Sequence, residues 1–119
     1  SICAAAVESG KAVIGVDKDQ SFESETIITS AMKNLTASVE LALAEMAANN
    51  GEWAHGGETI TLGAAENCVG LPTAEASWRL QNYTVAEYEA LFAAIADGTI
   101  AVSNSQEKPE VAIAVDYNA

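Results

Sequence analysis

The sequence predicts an α/β fold with an open, mostly parallel sheet flanked by helices. Helical and strand patterns alternate along the chain: a helix over 1–9, an apolar strand over 12–16 and a second helix over 24–48. Such alternation is typical of sheets whose strands are joined by helical crossovers. The 119 residues are 50% hydrophobic, which is sufficient for the core of one compact domain.

The first two elements are a short helix and a buried strand. Apolar side chains recur at helical spacing at the start of the chain: Ile2, Cys3, Ala6 and Val7. Gly10 occupies the place of a helix C-cap, and no capping residue with a loop precedes the helix. We therefore expect the end of a longer helix, in a chain truncated at its N-terminus. Residues 12–16 are apolar throughout, which is typical of a strand buried on both faces.

The next predicted element is a long helix over 24–48. Its apolar positions recur at three- and four-residue steps and form one stripe: Ile28, Met32, Leu35, Val39, Leu43 and Met46. The polar and glycine residues at 49–51 end this helix.

Two short strands and another helix are predicted in the remainder. Residues 58–63 alternate and are β-branched, and residues 67–71 form a short extended segment before Pro72. The helix begins at Thr84, which forms a capping box with Glu87, and ends near Gly98. Its predicted buried stripe is Tyr88, Leu91, Phe92 and Ile95. Beyond it we expect an extended segment at 99–102, a polar linker at 103–110 and an apolar run at 111–115.

Charge and motif content exclude several functions. The chain has 17 acidic and 5 basic residues, a net charge of -12, so it lacks the basic surface that nucleic acid or anionic lipid requires. It has no dinucleotide, P-loop or serine-nucleophile motif, and its one histidine, His55, has no partner for catalysis or metal binding. We expect no enzyme activity, no cofactor and no metal. Cys3 and Cys68 are expected to be unpaired thiols, although one disulfide stays open.

The main polar candidates follow the first strand. Asp17, Asp19 and Gln20 lie at its carboxyl end, where open α/β sheets bind ligands. The alternatives are a solvated loop, a carboxylate that accepts hydrogen bonds from vicinal hydroxyls, or two oxygen ligands for a divalent metal. Lys33 either extends to water from a helix edge or donates to a ligand in the same cleft. Trp53 and Trp78 are expected to be core or interface residues rather than ligand-stacking residues.

Several short motifs in the sequence resemble those of a known protein family. The stretch V-I-G-V-D-x-D-Q at 13–20 and the T-S with a following lysine at 29–33 resemble the C-terminal lobe of basic membrane lipoproteins, the PnrA-like receptors of bacterial ABC importers. Further matching motifs follow in order: G-x-W at 51–53, L-G at 62–63, V-G-L at 69–71 and D-G-x-I-x-V at 97–102.

The resemblance implies one lobe of a type I periplasmic-binding-protein fold. Residues 1–102 would be the C-terminal lobe, and residues 103–119 a polar linker and terminal extended segment. Asp17 would hold ribose hydroxyls and Lys33 would contact the ligand, with Asp19 and Gln20 at the cleft edge. The ligand would be a purine nucleoside, the partners a missing N-terminal lobe and ABC permease subunits, and the location extracytoplasmic, anchored through the missing N-terminus.

A second hypothesis stays open. The chain could be a stand-alone acidic α/β sensor or protein-interaction module rather than half of a receptor. If the chain is half of a receptor, a homodimer could cover the apolar surface left by its absent partner lobe.

Overall fold

The computed structural model describes residues 1–107. The elements in chain order are α1 (Ile2–Ser9), β1 (Val13–Asp17), a 3₁₀ turn (Ser21–Glu23), β2 (Ile27–Lys33), α2 (Leu35–Ala48), β3 (Val69–Gly70) and α3 (Val85–Ala96). The predicted α/β class is confirmed, and the architecture is consistent with one lobe of a periplasmic-binding-protein fold. The apolar run predicted at 111–115 lies outside the described residues.

The described strands form one open, mixed sheet in the order β1-β2-β3. Strands β1 and β2 are parallel, with Asp17 opposite Met32, and β2 pairs with the short β3 in the antiparallel direction. Because β1 and β2 are parallel, their carboxyl ends lie at the same edge of the sheet. Lys33, the last residue of β2, is one position beyond the partner of Asp17 and lies at this same edge.

The predicted helix over 24–48 is wrong in its first part. Residues Ile27–Lys33 form β2, and α2 begins only at Leu35. The β-branched run at 26–29 favours a strand, and pairing with β1 satisfies the main-chain groups of this segment. The side chain of Asn34 then accepts a hydrogen bond from the N–H of Ala37 at 3.1 Å and caps α2. Lys33 thus lies at the end of a strand, not within a helix.

Three smaller expectations about strands also need correction. Residues 58–63 form no strand, residues 67–71 contribute only the two residues of β3, and 99–102 contain a bend without strand pairing. Alternating sequence produces a strand only where a neighbouring strand can bond to it. The main-chain bonds at either end of 58–63 are instead turn bonds, from Glu58 N–H to His55 O and from Cys68 N–H to Gly63 O.

The ends of α1 and α3 agree with their predicted signals. Gly10 caps α1 in the left-handed conformation with φ 64°, and the capping box of Thr84 and Glu87 begins α3. Gly98 follows α3 with φ 81°. One detail differs: the Ser1 hydroxyl accepts a hydrogen bond from the N–H of Ala4 at 3.3 Å, so α1 has its own N-cap.

The hydrophobic core of the described residues is small. Its buried hydrophobic side chains are Ala6, Ile27 and Cys68. The α2 part of the predicted apolar stripe is exposed at Leu35, Val39 and Leu43, and Leu91 of the predicted α3 stripe is 41% exposed. The other α3 stripe positions are half-buried. Cys3 is half-buried, and both it and Cys68 are free thiols, as expected.

We predict that Asn34→Ala lowers the free energy of unfolding by about 1 kcal/mol, because it removes the N-cap of α2. If the helix instead ran unbroken from residue 24, Asn34 would be an interior position. Alanine, the better helix former, would then stabilise the chain. Urea unfolding followed by circular dichroism gives the sign of the effect. Asn34→Asp keeps the oxygen that accepts from Ala37 but loses the bond from Nδ2 to the Asn67 carbonyl, so it should recover the capping part of the loss.

Candidate functional site

A cleft of about 510 Å³ lies where β1 and β2 end. Its lining residues come from the β1 and β2 ends, from β3 and its neighbours and from α3: Asp17, Lys18, Asp19, Met32, Lys33, Asn34, Asn67, Val69, Gly70, Leu71, Thr73, Tyr88, Glu89 and Phe92. Its volume is in the range of small-molecule sites, and its position matches the usual ligand position in open α/β sheets.

An ion pair lies in this cleft. The Nζ atom of Lys33 is 2.8 Å from Oδ1 of Asp17, and both side chains are 62% exposed. A pair this exposed contributes little to stability, because water screens it and two side chains must be ordered. Within residues 1–107, no hydrogen bond engages the second carboxylate oxygen of Asp17, so that oxygen is available to a polar ligand.

Asp17 has an unusual backbone conformation. Its φ is 72°, and the N–H of Lys18 donates to the carbonyl of Val16 at 2.9 Å. The side chain of Asp17, at the centre of this three-residue turn, lines the cleft. A non-glycine residue in the left-handed region costs of order 1–3 kcal/mol and persists only where the surrounding contacts enforce it. The conformation therefore depends on the residues that follow.

Gln20, which follows this turn, forms hydrogen bonds with both β1 and β2. Its side-chain oxygen accepts the N–H of Val16 at 2.8 Å, and its main-chain N–H donates to the hydroxyl of Ser30 at 3.1 Å. Ser30 is fully buried in β2. Gln20 is absent from the cleft lining, so its role as a cleft-edge contact stays a prediction.

Asp19 uses both carboxylate oxygens within the protein. Oδ1 accepts the N–H of Ser21 at 2.9 Å, and Oδ2 accepts the hydroxyl of Ser77. The Ser21 hydroxyl donates to Ser77 at 3.2 Å, and both serines are buried. The hydrogen bond from Ser77, with that from Ser21, lowers the pKa of Asp19 below its ordinary value. Asp19 thus joins the loop after β1 to residues about 58 positions later in the chain.

Arg79 reinforces the same junction. One of its guanidinium nitrogens, Nη1, donates to the carbonyls of Ser24 and Ile27, each at 2.9 Å. These two carbonyls flank the start of β2. The segment around 77–79 therefore supports both the loop after β1 and the entry into the next strand.

An aromatic group forms the opposite wall of the cleft. The hydroxyl of Tyr88 accepts the N–H of Leu71 at 2.9 Å, and its ring packs against Phe92 and Trp78 with centroids 5.9 and 5.8 Å apart. A Cβ on Gly70 would lie 3.1 Å from the Tyr88 hydroxyl, so glycine allows this close approach. Sequence reasoning missed Tyr88, Phe92 and Glu89 as cleft residues, because their place there depends on distant contacts.

The two tryptophans and the histidine considered in the sequence analysis do not line the cleft. Trp53 packs edge-on against His55 at 5.3 Å, and His55 Nδ1 is 3.0 Å from a carboxylate oxygen of Glu58. Trp78 donates its indole N–H to the carbonyl of Tyr83 at 2.8 Å. Within residues 1–107, no group of histidine, cysteine and acidic side chains is arranged to hold a metal ion.

No helix among residues 1–107 is long and apolar enough to cross a membrane.

Comparison with known proteins gives two matches. A model of the family described as "ABC transporter substrate-binding protein PnrA-like" matches residues 1–106. The chain is also similar to Basic membrane protein B of Borreliella burgdorferi, with 38% identity over 66 residues, which are 55% of this chain and 19% of that protein. The chain thus spans only about a fifth of that relative's length. No solved structure matches the chain.

The bonds to Asp19 predict a pH dependence. Because the folded-state pKa of Asp19 lies below its ordinary value of 3.8, ionised Asp19 stabilises the folded chain above pH 3.8. That contribution is lost as the pH falls through the lower folded-state value. We expect Ser77→Ala to raise the Asp19 pKa, which carboxyl ¹³C titration measures. The free energy of unfolding, measured at several pH values, should then fall less at acid pH than in the wild type. Thr36→Ala, which also removes a hydroxyl, should leave the Asp19 titration unchanged; an unchanged titration in Ser77→Ala would contradict the assignment.

Proposed function

The chain belongs to the family of PnrA-like ABC transporter substrate-binding proteins, and from this we propose that it forms the C-terminal half of an interlobe cleft that binds a purine nucleoside. The observation that supports this proposal most directly is the Asp17–Lys33 ion pair in the cleft at the strand ends. A second lobe, outside this chain, supplies the other half of the site.

The ion pair has the chemistry that a ribose requires. A carboxylate can accept hydrogen bonds from two vicinal hydroxyls, and the ammonium of Lys33 can donate to a ring or hydroxyl oxygen. Both side chains are 62% exposed, so they are accessible to a solute in the open state. Closure of the second lobe excludes water from the pair and strengthens its hydrogen bonds to the ligand.

The aromatic wall suits the base of the nucleoside. Tyr88 and Phe92 line the cleft together with the apolar side chains of Met32, Val69 and Leu71. Aromatic rings bind planar heterocycles through their faces and edges, with little dependence on the exact base. The polar ion pair at one side and the aromatic wall at the other therefore fit the two halves of a nucleoside.

The receptor acts outside the cytoplasm and delivers its ligand to ABC permease subunits. Its family description, substrate binding for an ABC transporter, supports this placement. We further propose that the full-length receptor is a lipoprotein, anchored through its N-terminal part. The exposed apolar residues of α2 are available to be covered by the rest of the receptor.

In the full-length receptor, we expect Asp17→Asn to weaken nucleoside binding about ten- to hundredfold, the cost of losing a charge-assisted hydrogen bond. Isothermal titration with a ribonucleoside and its 2′-deoxy analogue sharpens the test. Wild type should prefer the ribonucleoside, and Asp17→Asn should lose most of that preference. Glu25→Gln, an exposed acid outside the cleft lining, is the control; wild-type discrimination in Asp17→Asn would refute the site.

We expect the 119-residue chain alone to bind the same nucleoside at least about a hundredfold more weakly than the full-length receptor, because half a cleft leaves the ligand exposed. Titration of both proteins under the same conditions measures the difference. Equal affinity would show that the second lobe is not needed, and would favour an independent module.

A further inference from the structure

The loop after β1 is held by a close fit between three residues. A Cβ added to Gly15 would lie 2.5 Å from the hydroxyl oxygen of Ser30 and 2.8 Å from the side-chain oxygen of Gln20. A Cβ at position 15 would force the Ser30 hydroxyl and the Gln20 side chain to shift. The Gln20 side chain thus lies over Gly15, between the strand and the loop.

Gln20 closes the loop back onto the strand that it leaves. Its side-chain oxygen accepts the N–H of Val16, the residue directly before Asp17. Its main-chain N–H is fixed to buried Ser30 of the neighbouring strand. The turn at Asp17, with φ 72°, therefore lies between two fixed points: Val16 on one side and Gln20 on the other.

We propose that Gln20 is a positioning residue, which holds the turn that presents Asp17 to the ligand. This inference rests on the proposed function, because it assumes that Asp17 binds the solute. It assigns Gln20 to the geometry of the site rather than to ligand contact. Asp19 is not equivalent, since its carboxylate fixes the far side of the loop to Ser21 and Ser77.

Both the length and the oxygen of glutamine matter. The oxygen must reach the N–H of Val16 at 2.8 Å from a main chain already tied to Ser30. The amide nitrogen lies 3.4 Å from both carboxylate oxygens of Glu23, which orients the oxygen towards β1. Methionine has the same length but no comparable acceptor, so Gln20→Met removes the bond and keeps the bulk.

A double-mutant cycle in the full-length receptor tests the inference. We expect Gln20→Met to weaken nucleoside binding about tenfold in the wild-type background. In the Asp17→Asn background, we expect less than a twofold further loss, because Gln20 acts only through Asp17. Equal losses in both backgrounds would overturn the inference and indicate general destabilisation or direct ligand contact.

A rescue variant separates the hydrogen bond from packing. Gln20→Glu keeps an accepting oxygen, and a simultaneous Glu23→Gln removes the repulsion between the two acids. This double variant should bind within about threefold of wild type. If it binds as weakly as Gln20→Met, the oxygen is not the operative group and the inference fails.

Amide hydrogen exchange in the 119-residue chain provides a test without ligand. Gln20→Met should accelerate exchange at Val16, the donor to Gln20, and at Lys18, whose N–H closes the turn. The N–H of Val13, bonded to Thr26 at 2.7 Å, should keep its protection and serve as the internal control. Unchanged exchange at Val16 and Lys18 overturns the positioning role. A wild-type receptor that binds no nucleoside overturns the proposed function, and the inference with it, whatever the exchange result.

Discussion

The cleft depends above all on the parallel pairing of β1 with β2. Parallel strands end at the same edge of a sheet, so the carboxyl ends of β1 and β2 become neighbours, and the turn at Asp17 then sets where its side chain lies. Asp17 and Lys33 are 16 positions apart in the chain, yet their charged atoms lie 2.8 Å from each other. If β2 were helical, Lys33 would lose this fixed place. The pairing of these two strands thus brings both charged residues to one edge of the sheet.

The polar residues after β1 divide into two roles. Asp17 faces the cleft and leaves one carboxylate oxygen open, whereas Asp19 and Gln20 direct their accepting oxygens into the protein. In sequence these three residues look equivalent, because all follow the same strand within four positions. The difference arises from where their partners lie: Ser77 comes from a distant segment, and Val16 belongs to the strand itself. One short loop therefore combines a carboxylate that is open to the cleft with two side chains that bond within the protein.

Local signals predict the C-terminal ends of the helices, the start of α3 and the position of the first strand, whereas the start of α2 and the cleft wall depend on non-local contacts. Thr84 with Glu87, Gly10 and the apolar run at 12–16 each act within a few residues, so the sequence predicts these elements. The expected burial of the first strand on both faces is wrong, because Ile14 and Val16 are exposed at the edge of the described sheet. The segment at 27–33 carried two conflicting patterns, helical spacing and β-branched residues, and pairing with β1 decided between them. The resemblance placed Asp17 and Lys33 in one cleft, and the structure brings them together. Tyr88 and Phe92 were assigned only to a helix core, because the wall they form needs β3 beside α3.

The left-handed backbone at Asp17 restricts how this position can vary over evolution. A residue here must accept φ 72°, which aspartate, asparagine and glycine tolerate far better than other side chains. Glutamate has the right charge, but it lacks the short side chain that makes this conformation accessible. Asp17→Glu, although it keeps the charge, is therefore unfavourable because of the backbone conformation. The backbone at this position is most readily kept by neutral exchanges, through asparagine or glycine.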